Sequence, residues 1–441
     1  MTSQTSPLNP PLTPAQLHKL ERNITLFYAF RFLREAQIWI PVWIVFLVID
    51  RGFSLTQIGI AEAGFLMGLT LLEVPTGAIA DRFGRSFSLT LGCVTMIGAI
   101  LVFAFTTSFP ILLVSFLIWS VAETLLSGAD LALLYDSLKG LKREEEYEKI
   151  AGRGEGLLWA GAALGVLIGA PVAQAVSTQF TIFVGAATLS LAVGVSLAMT
   201  EAPHLNVGSP QHSYWGGAKE AFRIAWRLPA VRTGLIFMAA LAAGLGAVGY
   251  LEQPFLLDKG QEVSFTFSAL QLPGLVAGVI GATFAFRLVQ RLGPVAVLTA
   301  VPLVGVGSYA ALALIDDLGA ISFFVVIMLL RAALQPIATG YLNRRVPSAQ
   351  RATILSIFSL VLGLILAPFS ASVGVIFDEL GLQWAFAIPG IGLAVLALIS
   401  GSWWVRTHRR EHPHPSSTTV LAVEAPSVVA PAIPPHPGNP V

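Results

Sequence analysis

The chain has 441 residues, 55% of them hydrophobic types and only 12% charged, with a formal net charge of +1. A soluble domain carries about 25% charged residues, so a soluble enzyme is excluded, and the near-neutral balance gives no bulk field to draw nucleic acid. The single cysteine, Cys93, lies in an apolar run, which excludes disulfides and thiolate metal sites.

In chain order, the first 20 residues are polar and hold Pro7, Pro10, Pro11 and Pro14. They lack the apolar core and cleavage site of a signal peptide, and residues 1–22 are expected to form a cytoplasmic tail. A membrane helix needs about 20 mostly apolar residues. Twelve runs qualify: roughly 24–49, 57–79, 86–106, 110–136, 155–176, 178–200, 231–257, 268–290, 294–315, 320–342, 352–377 and 384–405. Tight connections such as Asp50–Arg51–Gly52 separate them, and the alternation of a barrel strand is absent. The expected fold is an all-α membrane protein of twelve transmembrane helices in two pseudo-symmetric six-helix bundles, 23–200 and 231–405.

Between the bundles, 201–230 holds Pro203, Gly208 and Pro210, then a stretch Tyr214–Trp226 with Trp215, Phe222 and Trp226 at helical spacing among Lys219 and Arg223. It reads as a linker with an interfacial amphipathic helix. Residues 406–441 read as a disordered cytoplasmic tail, rich in Pro, Ser and Val toward its end; His412 and His414 there are weak evidence for metal, and no metal or cofactor is expected. With residue 1 in the cytoplasm, the inner loops, tails and adjoining span ends hold 21 of the 26 Lys and Arg, while the outer loops hold only Arg51 and Lys259. That split predicts that both termini are cytoplasmic.

The halves also repeat. Arg82–Phe83–Gly84 follows span two and Arg291–Leu292–Gly293 follows span eight; Arg153 opens span five and Arg351 opens span eleven. Internal repetition of this kind is typical of transporter folds.

At the inner end of span two stands Gly77-Ala-Ile-Ala-Asp81-Arg82-Phe-Gly84-Arg85. This resembles the signature loop of the major facilitator superfamily, Gly-x-x-x-Asp-Arg-x-Gly-Arg, with a weaker copy at 281–293. The resemblance covers residues 20–405. It implies two bundles rocking about a central cavity, with Gly77, Asp81, Arg82, Gly84 and Arg85 latching the outward-facing state through span eleven and the inner end of span four. Asp136 sits at that end of span four, so an Arg82–Asp136 latch pair is expected. The arginine that drug exporters place in span four is Thr124 here, four residues before Gly128. Their span-five run is matched only in part by Gly161, Gly165, Gly169 and Pro171, a spacing that also promotes close packing. Glu73-Val-Pro75-Thr-Gly77 and Ala132–Leu138 resemble a bacterial, drug-exporter-like branch, and this resemblance implies the inner (plasma) membrane.

Ionisable groups at membrane depth cost at least about 2.5 kcal/mol each. There are nine: Arg31, Arg34, Glu35, Glu62, Glu73, Glu123, Asp130, Glu252 and Arg331. Six acids against three bases require protonation, a cationic substrate or water, and none of the seven histidines lies in a span. Arg31 and Glu35 are i, i+4 and can pair. Glu123, Ser127 and Asp130 form a polar stripe on span four, and Arg331 lies at a depth similar to Glu123, as a partner in one state; alternatively Glu123 is a structural partner for Arg34 or Arg331. Glu123 is the chosen coupling carboxylate and Glu62 its rival.

The expected function is secondary transport of a small molecule, leading with proton-coupled export of amphiphilic or cationic compounds. Proton-coupled nutrient uptake, with Arg34 or Arg331 binding an anionic group, is the alternative, and a non-transporting receptor a third. The expected partners are substrate, protons and the lipid bilayer, and the expected state is a monomer. No nucleotide loop, metal cluster or nucleophile constellation points to an enzyme.

Overall fold

A computed structural model describes residues 12–202, 223, 226–346 and 350–411. The expected amphipathic helix over Tyr214–Trp226 falls almost wholly outside the described residues, as do His412, His414 and the tail from 412 on. Among the described residues the chain is helical, without strands. Eleven stretches are long and apolar enough to cross a membrane, and one of them, Phe265–Leu314, contains two spans joined across Gly293. Counted that way the spans are twelve.

Gly293 (φ 80, ψ 156) and Gly84 (φ 101, ψ 158) hold the same backbone conformation at equivalent places in the two halves. Only glycine adopts that region readily. Each lets one helix end and the next start with no loop between them, which is why the repeated Arg-x-Gly triplets sit where they do. The first helix begins at Pro14, ahead of the apolar run, held by a capping box between Thr13 and Gln16. The last helix runs on to Glu411, past the expected boundary at 405.

Three spans are broken rather than continuous. Span one is helical over Pro14–Glu35, irregular through Ala36–Trp39, then continues as short segments from Ile40 to Asp50. Pro41 has no N–H to give back to the preceding turn. Gln37 covers part of the loss: its Nε2 donates to the Arg34 carbonyl at 3.1 Å, and its Oε1 accepts from Trp39 Nε1 at 3.1 Å. Span five fits against this irregular stretch through the glycine ladder. A Cβ at Gly161, Gly165 or Gly169 would stand 2.5, 2.9 or 2.2 Å from the carbonyl oxygens of Phe32, Gln37 and Ile38. The glycine spacing thus serves close packing.

Span seven breaks after Pro229–Gly246 and resumes at Gly249 and Glu252–Asp258. The Tyr309 hydroxyl donates to the Gly244 carbonyl at 2.5 Å, taking the place of a backbone donor lost at the break. Span four breaks between Phe109–Leu126 and Ala129–Gly140, where Gly128 is left-handed (φ 70, ψ −10). The expected continuous stripe of Glu123, Ser127 and Asp130 is therefore corrected: a turn separates its upper and lower parts.

Both termini-bearing ends lie on one side of the bundle, since the span number is even; we call this the terminus side. Seven hydrogen bonds join the halves among the described residues, and all lie near the opposite, far side. No ion pair among the described residues crosses between halves.

Candidate functional site

Polar side chains from both broken and continuous spans line two adjoining spaces between the halves. A large cavity of about 560 Å³ is lined from both halves, with Arg34, Glu73, Glu123, Asp130 and Arg331 among its walls. A smaller chamber of about 220 Å³ lies deeper toward the far side, with Glu62, Tyr250, Glu252 and Gln253. Leu66, Leu366 and Arg331 line both, so these three form the partition.

Around the large cavity the first-half charges are paired. Arg34 Nη2 meets Glu123 Oε2 at 2.7 Å, and its Nε lies 3.4 Å from Glu35 Oε1. Trp119 Nε1 donates to the other Glu123 oxygen at 3.4 Å. Arg31 Nε lies 3.0 Å from Asp130 Oδ2, close enough for charge pairing but without hydrogen-bond alignment, and Nη1 lies 3.4 Å from Glu155. Arg31 and Asp130 are both buried.

One sequence expectation is corrected here. Arg31 does not pair with Glu35 along its own helix; it reaches across to spans four and five, because the inward face of span one points Arg31 at Asp130. In this conformation Glu123 is held by Arg34, the other expected partner, and not by Arg331.

Arg331 instead acts electrostatically on Glu62 across the partition, and it is accessible from the cavity. Gly246 and Gly249, which flank the span-seven break, face Arg331: a Cβ at either would stand in ordinary contact with its guanidinium, at 3.9 and 3.6 Å. Glu62, Glu73 and Glu252 have no cationic nitrogen within 4.0 Å among the described residues. Glu73 faces the terminus side and is exposed; Glu252 and Glu62 face one chamber from opposite halves.

The signature loop stands open. Asp81 pairs with Arg85 one turn on at 2.8 Å, Arg82 stacks over the Phe83 ring, and a Cβ on Gly77 would meet nothing within 4 Å. The expected Arg82–Asp136 pair is not formed; Arg85 and Lys139 are the cations near Asp136. The carboxylate at the N-terminus of span three is Glu201, which accepts from Ser86 N at 2.5 Å, a favourable place for an anion. No group of three or more potential metal ligands gathers among the described residues.

Gln37, Gln253 and Tyr309 bond to the broken spans without a charge to mark them in the sequence. Gln253 stands as an amide inside an apolar run beside Glu252, and a neutral amide costs less at membrane depth than a charge, so its presence there is a weaker signal.

The family model of the Major Facilitator Superfamily matches residues 24–367. An uncharacterized MFS-type transporter, YxaM, of Bacillus subtilis (strain 168) is 25% identical over 398 residues, 85% of this chain and 94% of that protein. Among solved structures, a point variant of the nucleoside transporter NupG aligns with a TM-score of 0.75 at 15% identity, covering 88% of this chain and 100% of that one. A bacterial homologue of the human lysosomal transporter Spinster, in an inward-facing and unoccupied conformation, aligns with a TM-score of 0.67 at 18% identity, covering 90% and 98%. At such identities the structural likeness speaks for the fold. With the family match over most of its length, the twelve spans and the cavity between two bundles, this multi-pass membrane chain belongs to the major facilitator superfamily of small-molecule transporters.

Proposed function

We propose that the chain is a secondary active transporter of the bacterial inner membrane, working by alternating access with its terminus side in the cytoplasm. The observation that carries this reading is the one-sided closure. Both halves line the large cavity, and every hydrogen bond between them among the described residues lies on the far side of it. The 21-to-2 split of positive charge supports the orientation, which makes this conformation open inward. The released signature loop fits that state. Reporter fusions after Val405 and within 205–212 test the orientation, and a periplasmic signal from either overturns it.

The leading substrate class is a small amphiphile with a cationic group, moved outward in exchange for protons. Arg31 and Arg34 are neutralised by their own carboxylates, while Glu73, Glu62 and Glu252 have no close cation. Leu66, Leu69, Leu362 and Leu366 supply an apolar wall. Because Glu123 is held by Arg34 at 2.7 Å, we assign proton coupling to Glu62, which lines the small chamber together with Arg331. A carboxyl facing the partition arginine from the opposite half couples naturally: filling or emptying it changes what Arg331 must neutralise as the halves move.

Uptake is the second reading, favoured by Arg331. It is an accessible cation in the cavity with no carboxylate within 4.0 Å among the described residues, and so offers a place for a polar or anionic substrate.

Everted vesicles, with and without a proton gradient, distinguish the directions. Under the leading reading, imposed acid inside drives accumulation of a cationic amphiphile, and Glu62→Gln abolishes accumulation while leaving gradient-free exchange. Unchanged uphill transport in Glu62→Gln removes the coupling assignment.

A further inference from the structure

The breaks in spans one and seven meet on the far side of the small chamber, and one side chain joins them. Gln253 Oε1 accepts from Ile44 N at 3.0 Å and from Val45 N at 3.4 Å, while its Nε2 donates to the Ile40 carbonyl at 2.9 Å. It is only 6% exposed. The segment from Ile40 to Asp50 passes through 3₁₀, α and π turns within eleven residues. Its peptide groups therefore lack a regular helical ladder, and a primary amide, with one acceptor and two donors, matches what they need. Unsatisfied peptide groups at membrane depth are costly, so this contact must be replaced whenever the halves part.

The other far-side contacts are weaker anchors. Gln271 Nε2 donates to the Pro41 carbonyl at 3.2 Å, and Ala170 N donates to Ser268 Oγ at 3.2 Å. Asp378 accepts from Leu55 N and Thr56 N at 3.2 and 2.7 Å, capping span two from the opposite half. Asp378 is exposed, so water can take over its bonds at little cost. Gln253 is buried and makes three bonds, and no such substitute reaches it without opening the chamber.

We propose that Gln253 is the positioning residue of the far-side gate: it holds the small chamber shut while the terminus side is open, and its release exposes the chamber to the far side. The proposal rests on the alternating-access reading above. The gate is a side chain clasping backbone, so it opens without separating any ion pair between the halves.

The test uses the full chain in liposomes on a Cys93→Ala background, which removes the one native thiol. Ser370→Cys reports on the small chamber and Ser359→Cys on the large cavity. Each is labelled with a membrane-impermeant maleimide from either side. Gln253→Leu should raise far-side labelling of the Ser370→Cys thiol by about tenfold, the shift expected from one to two net hydrogen bonds, and lower terminus-side labelling at Ser359→Cys. Gln253→Glu keeps the two acceptor contacts and loses the donor to Ile40, so it should fall between wild type and Gln253→Leu. A merely structural role would lower the unfolding temperature without changing the side from which the thiols react. Far-side labelling that stays at the wild-type rate in both Gln253→Leu and Gln253→Glu overturns the gate. A rise at Ser370→Cys with no fall at Ser359→Cys keeps the gate and overturns alternating access.

Discussion

The two halves carry membrane-depth charge in opposite ways. In the first half, Arg31 and Arg34 are locked to Asp130, Glu155, Glu123 and Glu35, each pair within one six-helix bundle. In the second half, Arg331 and Glu252 stand without a close counter-ion among the described residues and face the central spaces. A buried charge is tolerated when paired and costly when stripped of its partner. The first half therefore spends both of its membrane-depth arginines on bracing itself while Glu62 and Glu73 face the central spaces, and the second half presents its one arginine to whatever enters. The pairing also leaves the bundles free to move, because among the described residues no ion pair has to break between them.

Breaking the bracing should cost most. Arg31→Met leaves Asp130 buried at 3% exposure without its cation, and loss of one partner from a buried pair costs about 3–5 kcal/mol. Denaturant or thermal unfolding in detergent reads this directly. Arg331→Met removes a charge with no carboxylate within 4.0 Å and should cost far less stability. Equal losses in the two variants would erase the contrast between the halves.

Next comes the packing of the span-one break. Gly169→Val places a Cβ about where the Ile38 carbonyl stands, 2.2 Å away, and overpacking of this kind costs about 1–3 kcal/mol. Gly307→Ala in the second half, where a Cβ would meet nothing within 4 Å, should leave the unfolding midpoint unchanged. A neutral Gly169→Val would mean that the ladder is not what seats span five.

Smaller still is the far-side loop. Lys259 lies 2.8 Å from Asp258 and also pairs with Asp316. Its hydrogen bonds to those two carboxylates raise its pKa above the ordinary lysine value. A raised folded-state value means that its stabilisation is complete below the ordinary lysine range and fades as pH climbs through the raised value. Lys259→Met should therefore cost no more than about 1 kcal/mol, by an amount constant between pH 6 and 9. A cost that grows within that window would contradict the sign.

The smallest stability effect should come from Asp81→Asn. In this conformation it removes one exposed i, i+4 pair with Arg85, about 0.3–0.5 kcal/mol. Flux should nonetheless slow if the carboxylate latches the opposite state, as the signature-loop resemblance implies; transport at the wild-type rate would reduce the signature loop to a topology signal.

The architecture is written in the residues themselves. Twelve apolar runs, the one-sided Lys and Arg, and Gly77-x-x-x-Asp81-Arg82-x-Gly84-Arg85 with its echo at Gly293 were enough, because a bilayer demands long helices with internal hydrogen bonds and a Gly-only backbone turn leaves a Gly in the sequence. The nine membrane-depth charges were legible for the same reason: their residue types are costly in hydrocarbon wherever they point. Their partners were not. Arg31 and Glu35 sit one turn apart, yet Arg31 meets Asp130 and Glu155, and of the two candidate partners for Glu123, Arg34 and Arg331, only packing decides for Arg34. Spacing along one helix says which side chains share a face; which neighbour that face meets depends on packing between spans distant in sequence. Gln253 shows the same limit more sharply. Its bonds go to the backbone of a broken helix some 210 positions away, and backbone groups are exposed for capture only where the tertiary fold has interrupted their ladder.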